Sequence, residues 1–104
     1  MNIPESVRIN GVDYEIIQES PILMDGVECY GKINFAECTI KLKDKGINEQ
    51  HKAITLWHEI LHGIIEGSGL ELDNEEEIVE RLSRGVYQVL QDNGQKLFDL
   101  KYNE

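Results

Sequence analysis

Near residue 46 the composition changes once, from strand-like alternation to a helical period, and this switch confines the chain to a sheet-forming half followed by a helical half. In the first half, "SVRINGVDYEIIQ" sets Asn10-Gly11 between two alternating runs. That dipeptide predicts a hairpin, because both central positions of a type I′ turn need positive φ. "CYGKINFAECTIKLKD" supplies two more runs, with Ile33 and Phe35 alternating in one and Cys38, Ile40 and Leu42 in the other. Their short link predicts a second hairpin. "SPILMDGVE" between the hairpins reads as a loop.

In the second half Asn48 can cap a helix over "EQHKAITLWHEILHGIIE". Ile54, Trp57, Leu61, Ile64 and Ile65 fall at three- and four-residue spacings and form its apolar stripe. "GSGLELDN" breaks that helix, its glycines suiting a C-terminal cap. Asp73 or Asn74 can cap a second helix, "EEEIVERLSRGVYQVLQDN", whose acidic first turn complements the helix dipole. Ile78, Val79, Leu82, Val86 and Val89 make its stripe, and Asn93-Gly94 ends it. Leu97, Phe98 and Leu100 are expected to dock on the core. The expected fold is α+β: a three- to four-stranded antiparallel sheet followed by two packed helices. One domain spans 1–104, with strand hairpins in 1–45, the two-helix unit in 48–93 and a tail in 94–104.

The chain of 104 residues suits a single domain. Twenty acidic residues against ten basic ones give a net charge of −10, which argues against nucleic acid or an anionic membrane as the main partner. "MNIPESVRING" has no signal-like apolar core, and no segment approaches the roughly 18 apolar residues of a membrane span. The chain therefore reads as cytoplasmic. Cys29 and Cys38 have neither a C-x-x-C spacing nor a secretory context and read as reduced thiols.

The first predicted helix carries His58-Glu59-Ile60-Leu61-His62, an H-E-x-x-H pattern. Residues i and i+4 share a helix face, so both imidazoles can reach one zinc ion. Glu59 is turned about a quarter of the way round from His58, within reach of a water as general base. On an ordinary solvated helix the same residues would make only surface contacts. A catalytic zinc needs a third protein ligand. Position 68 is Ser68, so the pattern does not extend to a third histidine downstream. His51 lies two turns before His58, roughly 10 Å along the axis, too far to share the ion, though it can line the mouth of a cleft.

The third ligand is therefore expected from the second helix, which offers Glu75, Glu76, Glu77 and Glu80. Glu75 lies along the centre of the apolar stripe, and Glu77 points away. Glu76 and Glu80 share a flanking stripe with Ser83 and Tyr87. Glu80 is the first choice, being in the second turn with small Ser83 next to it; Glu76 is the second.

"HEILHGIIEGSGLELDNEEEIVERLSRGVYQVLQDN", with "YGKINFAECTIKLKD" before it, resembles small phage-type zinc metallopeptidases related to the ImmA/IrrE metallo-endopeptidases. More broadly it is similar to gluzincins, in which a downstream Glu completes the H-E-x-x-H site. The resemblance implies a zincin-like domain with Zn2+ on His58, His62 and Glu80, and Glu59 as catalytic base. It implies a protein or peptide substrate, repressor-type proteins among the candidates, and an edge strand, taken as "CTIKLK", that pairs with it. This chain stops short of the longer repressor-cleaving members, so a shallow cleft is expected. Tyr30, Tyr87, Tyr102 and His51 are the candidates for oxyanion stabilisation. Two other readings are a non-catalytic zinc-binding interaction module and a Cys/His metal protein using Cys29 or Cys38.

Overall fold

The computed structural model describes residues 3–99. At the first turn, Asn10 and Gly11 take φ of 49° and 81°, as a type I′ hairpin requires. Strand β1 (Ser6–Ile9) therefore folds back on β2 (Val12–Glu19) in antiparallel register, Ile9 opposite Val12. The segment expected to be a loop holds a second small hairpin, β3 (Leu23–Met24) and β4 (Val27–Glu28). Asp25 and Gly26 turn it with φ of 52° and 79°, the same two-residue chemistry at a different address. β5 (Gly31–Asn34) and β6 (Thr39–Lys43) form the third hairpin.

The sheet order is β1-β2-β6-β5. It is mixed and not antiparallel throughout, because β6 runs parallel to β2, from Glu15 opposite Thr39 to Glu19 opposite Lys43. Turn residues specify each hairpin locally, whereas the pairing between hairpins is set by burial. Ile40 and Leu42 are both 0 % exposed, so β6 takes the central slot where both of its backbone edges are paired. Consequently the segment "CTIKLK" is not an edge; the free edges belong to β1 and β5.

Helix α1 (Glu49–Ser68) starts at Asn48, whose side chain accepts from the His51 N–H at 2.7 Å, and stops at Gly69 with φ 77°. Its sheet-facing side is Ala53, Leu56, Ile60 and Gly63, packed over Ile9, Tyr14, Ile16, Ile40 and Leu42. This face is rotated from the predicted Ile54-Trp57-Leu61-Ile64-Ile65 stripe, and Ile64 is exposed. The helix is covered on one side by the sheet and on another by α2, so its apolar residues spread over more than one stripe. Small residues mark the closest approach: a Cβ on Gly63 would lie 3.0 Å from Ile9 Cδ1 and 3.3 Å from Ile33 Cδ1.

Helix α2 (Glu75–Phe98) begins after Asn74 and passes through Gly94 instead of ending there. One glycine costs a helix about 1 kcal/mol, too little to break it when good helix formers follow. Leu97 and Phe98 are therefore helical and exposed, not docked on the core, and Leu100 lies outside the described residues. α2 packs antiparallel on α1 and makes no comparable contact with the sheet. Val79 and Ser83 are its buried residues, while Leu82 and Val89 of the predicted stripe are exposed. No helix among the described residues is long and apolar enough to cross a membrane.

Candidate metal centre

The antiparallel packing of the helices sets the N-terminus of α2 against the middle of α1. His58 and His62, one turn apart, both turn Nε2 towards the same point, 3.2 Å from each other. Glu76 spans them: one carboxylate oxygen lies 3.0 Å from His58 Nε2 and the other 2.9 Å from His62 Nε2. His58, His62 and Glu76 thus form a group that could hold a metal ion, their ligand atoms all within 4.8 Å of one another.

Glu80 meets His58 on its other nitrogen, Nδ1, at 3.2 Å. It therefore stands outside the convergent set that the sequence expectation put it in, and Glu76 stands inside. Glu75 does for His62 what Glu80 does for His58, with its carboxylate 2.7 Å from His62 Nδ1. Metal-binding histidines characteristically donate their second ring N–H to a carboxylate, which fixes tautomer and orientation. In the tautomer with both protons on Nδ1, facing Glu75 and Glu80, the inward atoms are two imidazole lone pairs and two carboxylate oxygens, an acceptor set that a cation can satisfy. The donor set, two imidazoles and a carboxylate, is of the kind that holds a divalent transition-metal ion.

Ser83, 1 % exposed, gives the two helices room to close on one another. Burial of His62 pulls its pKa down, but the Glu75 hydrogen bond and the charges of Glu59, Glu76 and Glu75 outweigh it and leave the imidazole above its ordinary value. Glu59 points from the same turn towards the sheet and is buried. Desolvation raises its pKa to about 7, opposed by His62 and reinforced by Glu76. Its place depends on a missing side chain on the edge strand. A Cβ at Gly31 would lie 2.6 Å from Thr55 Cγ2 and 3.1 Å from Glu59 Oε2.

The histidines, Glu59, Glu76 and Glu80 open into a cleft of about 680 Å³, within the range of ligand sites. β5 and the residues just before it form one wall. His51 lines this cleft with Tyr30, their rings 4.5 Å apart. Of the four oxyanion candidates, these two are in the cleft; Tyr87 is not among its lining, and Tyr102 lies outside the described residues. Cys29 lines the cleft as well, its thiol pKa raised by burial and by the charge of Glu59. Cys29 and Cys38 are both free and stand at opposite ends of the β5–β6 hairpin, not face to face. Neither belongs to the metal group among the described residues.

No family model, curated protein or solved structure matches this chain. The chemistry is therefore read from the site itself. Two contributors are not singled out by the sequence. Glu75 is one of four acidic candidates there, placed on the centre of the apolar stripe behind Glu80 and Glu76; it shares the face of buried Val79, four residues on, and that face brings it to His62. Gly31 carried no signal beyond being a glycine inside an alternating run, which marks a close approach of backbone to another group.

Proposed function

We propose that the chain is a cytoplasmic, zinc-dependent metallopeptidase of the ImmA/IrrE-like, gluzincin-related kind, acting on an extended protein or peptide segment such as that of a phage or mobile-element repressor. The observation that carries this reading is the convergence of His58, His62 and Glu76 beside a buried Glu59, in a cleft walled by an edge strand. His58 and His62 would hold the ion through Nε2 and Glu76 through its carboxylate, with Glu75 and Glu80 fixing the imidazoles from outside. An ion held there supplies Lewis-acid polarisation of the scissile carbonyl and acidifies water.

The remaining steps belong to the protein. Glu59 takes a proton from the attacking water as its oxygen bonds to the carbonyl carbon. It returns that proton to the leaving nitrogen as the C–N bond breaks. Burial raises the Glu59 pKa to about 7 in the ion-free protein, and an ion on the neighbouring histidines would lower it towards the carboxylate that accepts the proton. The unpaired edge of β5 offers backbone donors and acceptors to a substrate strand.

The test is metal content combined with Glu59→Gln. Stoichiometric zinc retained by the variant, with loss of cleavage of an unfolded protein substrate, supports the reading. Protein purified without chelators that carries no zinc overturns it. Retention of the biological effect in the Glu59→Gln protein would instead mark a non-catalytic zinc-binding module.

A further inference from the structure

We propose that Arg84 is the carboxylate anchor of the cleft, selecting peptides with an acidic side chain or a free C-terminal carboxylate about three residues from the bond held at His58 and His62; this rests on the peptidase reading above. Arg84 lines the cleft together with Glu76, Glu80 and Ser83 of the same helix. On a helix rising 1.5 Å per residue it stands about 12 Å along the axis from Glu76. An extended peptide rises about 3.3 Å per residue, so that span corresponds to three or four residues.

The cleft is polarised along this axis. The carboxylates that line it, Glu59, Glu76 and Glu80, sit at the histidine end. Arg84 lies about two turns along α2 from Glu76, and His51, about two turns before His58 on α1, lines the cleft with Tyr30, their rings tilted by 47°.

Arg84 has also lost the partner that helix geometry would give it. Glu80 is four residues earlier, the favourable order for an ion pair. Its carboxylate instead lies 3.2 Å from His58 Nδ1. The neighbouring Arg81 is paired with Glu77 at 3.1 Å, and Arg8 with Asp13 at 3.7 Å. Among the described residues Arg84 has no carboxylate partner, although the chain holds 20 acidic residues. An unpaired guanidinium presents a planar fork of donors that matches a carboxylate.

The test uses the zinc-loaded Glu59→Gln protein, which binds without cleaving. Its probes are fluorescent, C-terminally amidated octapeptides with Asp, Ala or Lys three residues from the centre on either side. A fourth probe is the Ala peptide with a free C-terminus. Arg84 is exposed, so anisotropy should show the Asp or free-carboxylate peptide binding roughly two- to fivefold tighter than amidated Ala, as expected for an exposed ion pair. A gain with Asp assigns the anchor to a side chain, and a gain with the free terminus assigns it to a chain end. Arg84→Ala should remove the gain while leaving zinc content and the affinity for amidated Ala unchanged, and Arg84→Glu should favour Lys. Equal binding of all peptides, or a preference that survives Arg84→Ala, overturns the anchor while the zinc site stands. Absence of zinc from every variant overturns both this inference and the peptidase reading.

Discussion

Glu76 touches the inner nitrogen of both imidazoles, whereas Glu75 and Glu80 each touch one outer nitrogen. That difference ranks three otherwise similar carboxylates. Removing an outer partner typically costs 10- to 100-fold in metal affinity, so Glu75→Gln and Glu80→Gln should fall in about that range. Glu76→Gln should exceed it, because on the proposed reading Glu76 holds the ion directly. Competition titration against a zinc indicator measures all three, and a larger loss for Glu80→Gln would return Glu80 to the ligand set. Glu59 makes a separate prediction in metal-free protein. Its folded pKa stands at about 7 against an ordinary 4.5, so between those values the folded state binds more protons than the unfolded one. Stability of the metal-free protein therefore falls as pH rises through that window. Glu59→Gln removes this loss. The melting temperature of the metal-free variant should exceed that of the wild type at pH 8, and the gap should close at pH 4. A gap independent of pH would mean that the carboxyl is not desolvated.

Gly31 sits where an edge strand meets helix α1 beside Glu59, and on the proposed reading its replacement should impair cleavage without impairing metal binding. Thr55 is β-branched and stiff, so a methyl 2.6 Å from its Cγ2 must move β5 or displace Glu59. Gly31→Ala should retain zinc, since His58, His62 and Glu76 all lie on helices, and lose most of the cleavage expected of the wild type. Loss of zinc in the folded variant would contradict this division of labour. Whether an element was legible in the sequence follows the range of the interaction that makes it. Asn10-Gly11, Asn48 and Gly69 act within a few residues, and the turn and caps they announce are present. The parallel pairing of β2 with β6 joins residues 24 apart, as in Glu15 with Thr39, and no local signal encodes it. With β6 central, the edge passed to β5. A single apolar stripe describes a helix with one buried face. α1 has two covered faces, and small Ala53 and Gly63 at its closest approach do not register as apolar signals. That His58 and His62 face one point was legible because i and i+4 share a helix face. The choice between Glu76 and Glu80 was not, because it depends on how far along α1 the second helix sits.

At the scale of the molecule the two helices are held unequally. α1 lies on the sheet through Leu56 and Ile60 in the main core, while α2 rests on α1 alone to any comparable extent. The α1–α2 interface buries few large side chains: Val79 and Ser83 are the only α2 residues that are buried. Its N-terminal end is instead crowded with ionisable groups, Glu75, Glu76 and Glu80 against His58 and His62. On the proposed reading an ion at that end bridges the helices. A ligand at 100 times its dissociation constant stabilises the state that binds it by about 2.7 kcal/mol. Removing it leaves the inward-facing acceptors to be reconciled by protons alone. Chelation should therefore loosen one element and not the whole fold. In hydrogen exchange at pH 7, EDTA should speed the amides of the first half of α2 and of the α1 turn bearing His62. β2 and β6 should keep their protection, since their cover is apolar and provided by α1. Restoring zinc should restore α2, and Glu76→Gln should exchange like the chelated protein whether or not zinc is added. Uniform acceleration of sheet and helices on chelation would instead mean that the ion supports the core itself; no change in α2 would mean that nothing bridges the two helices.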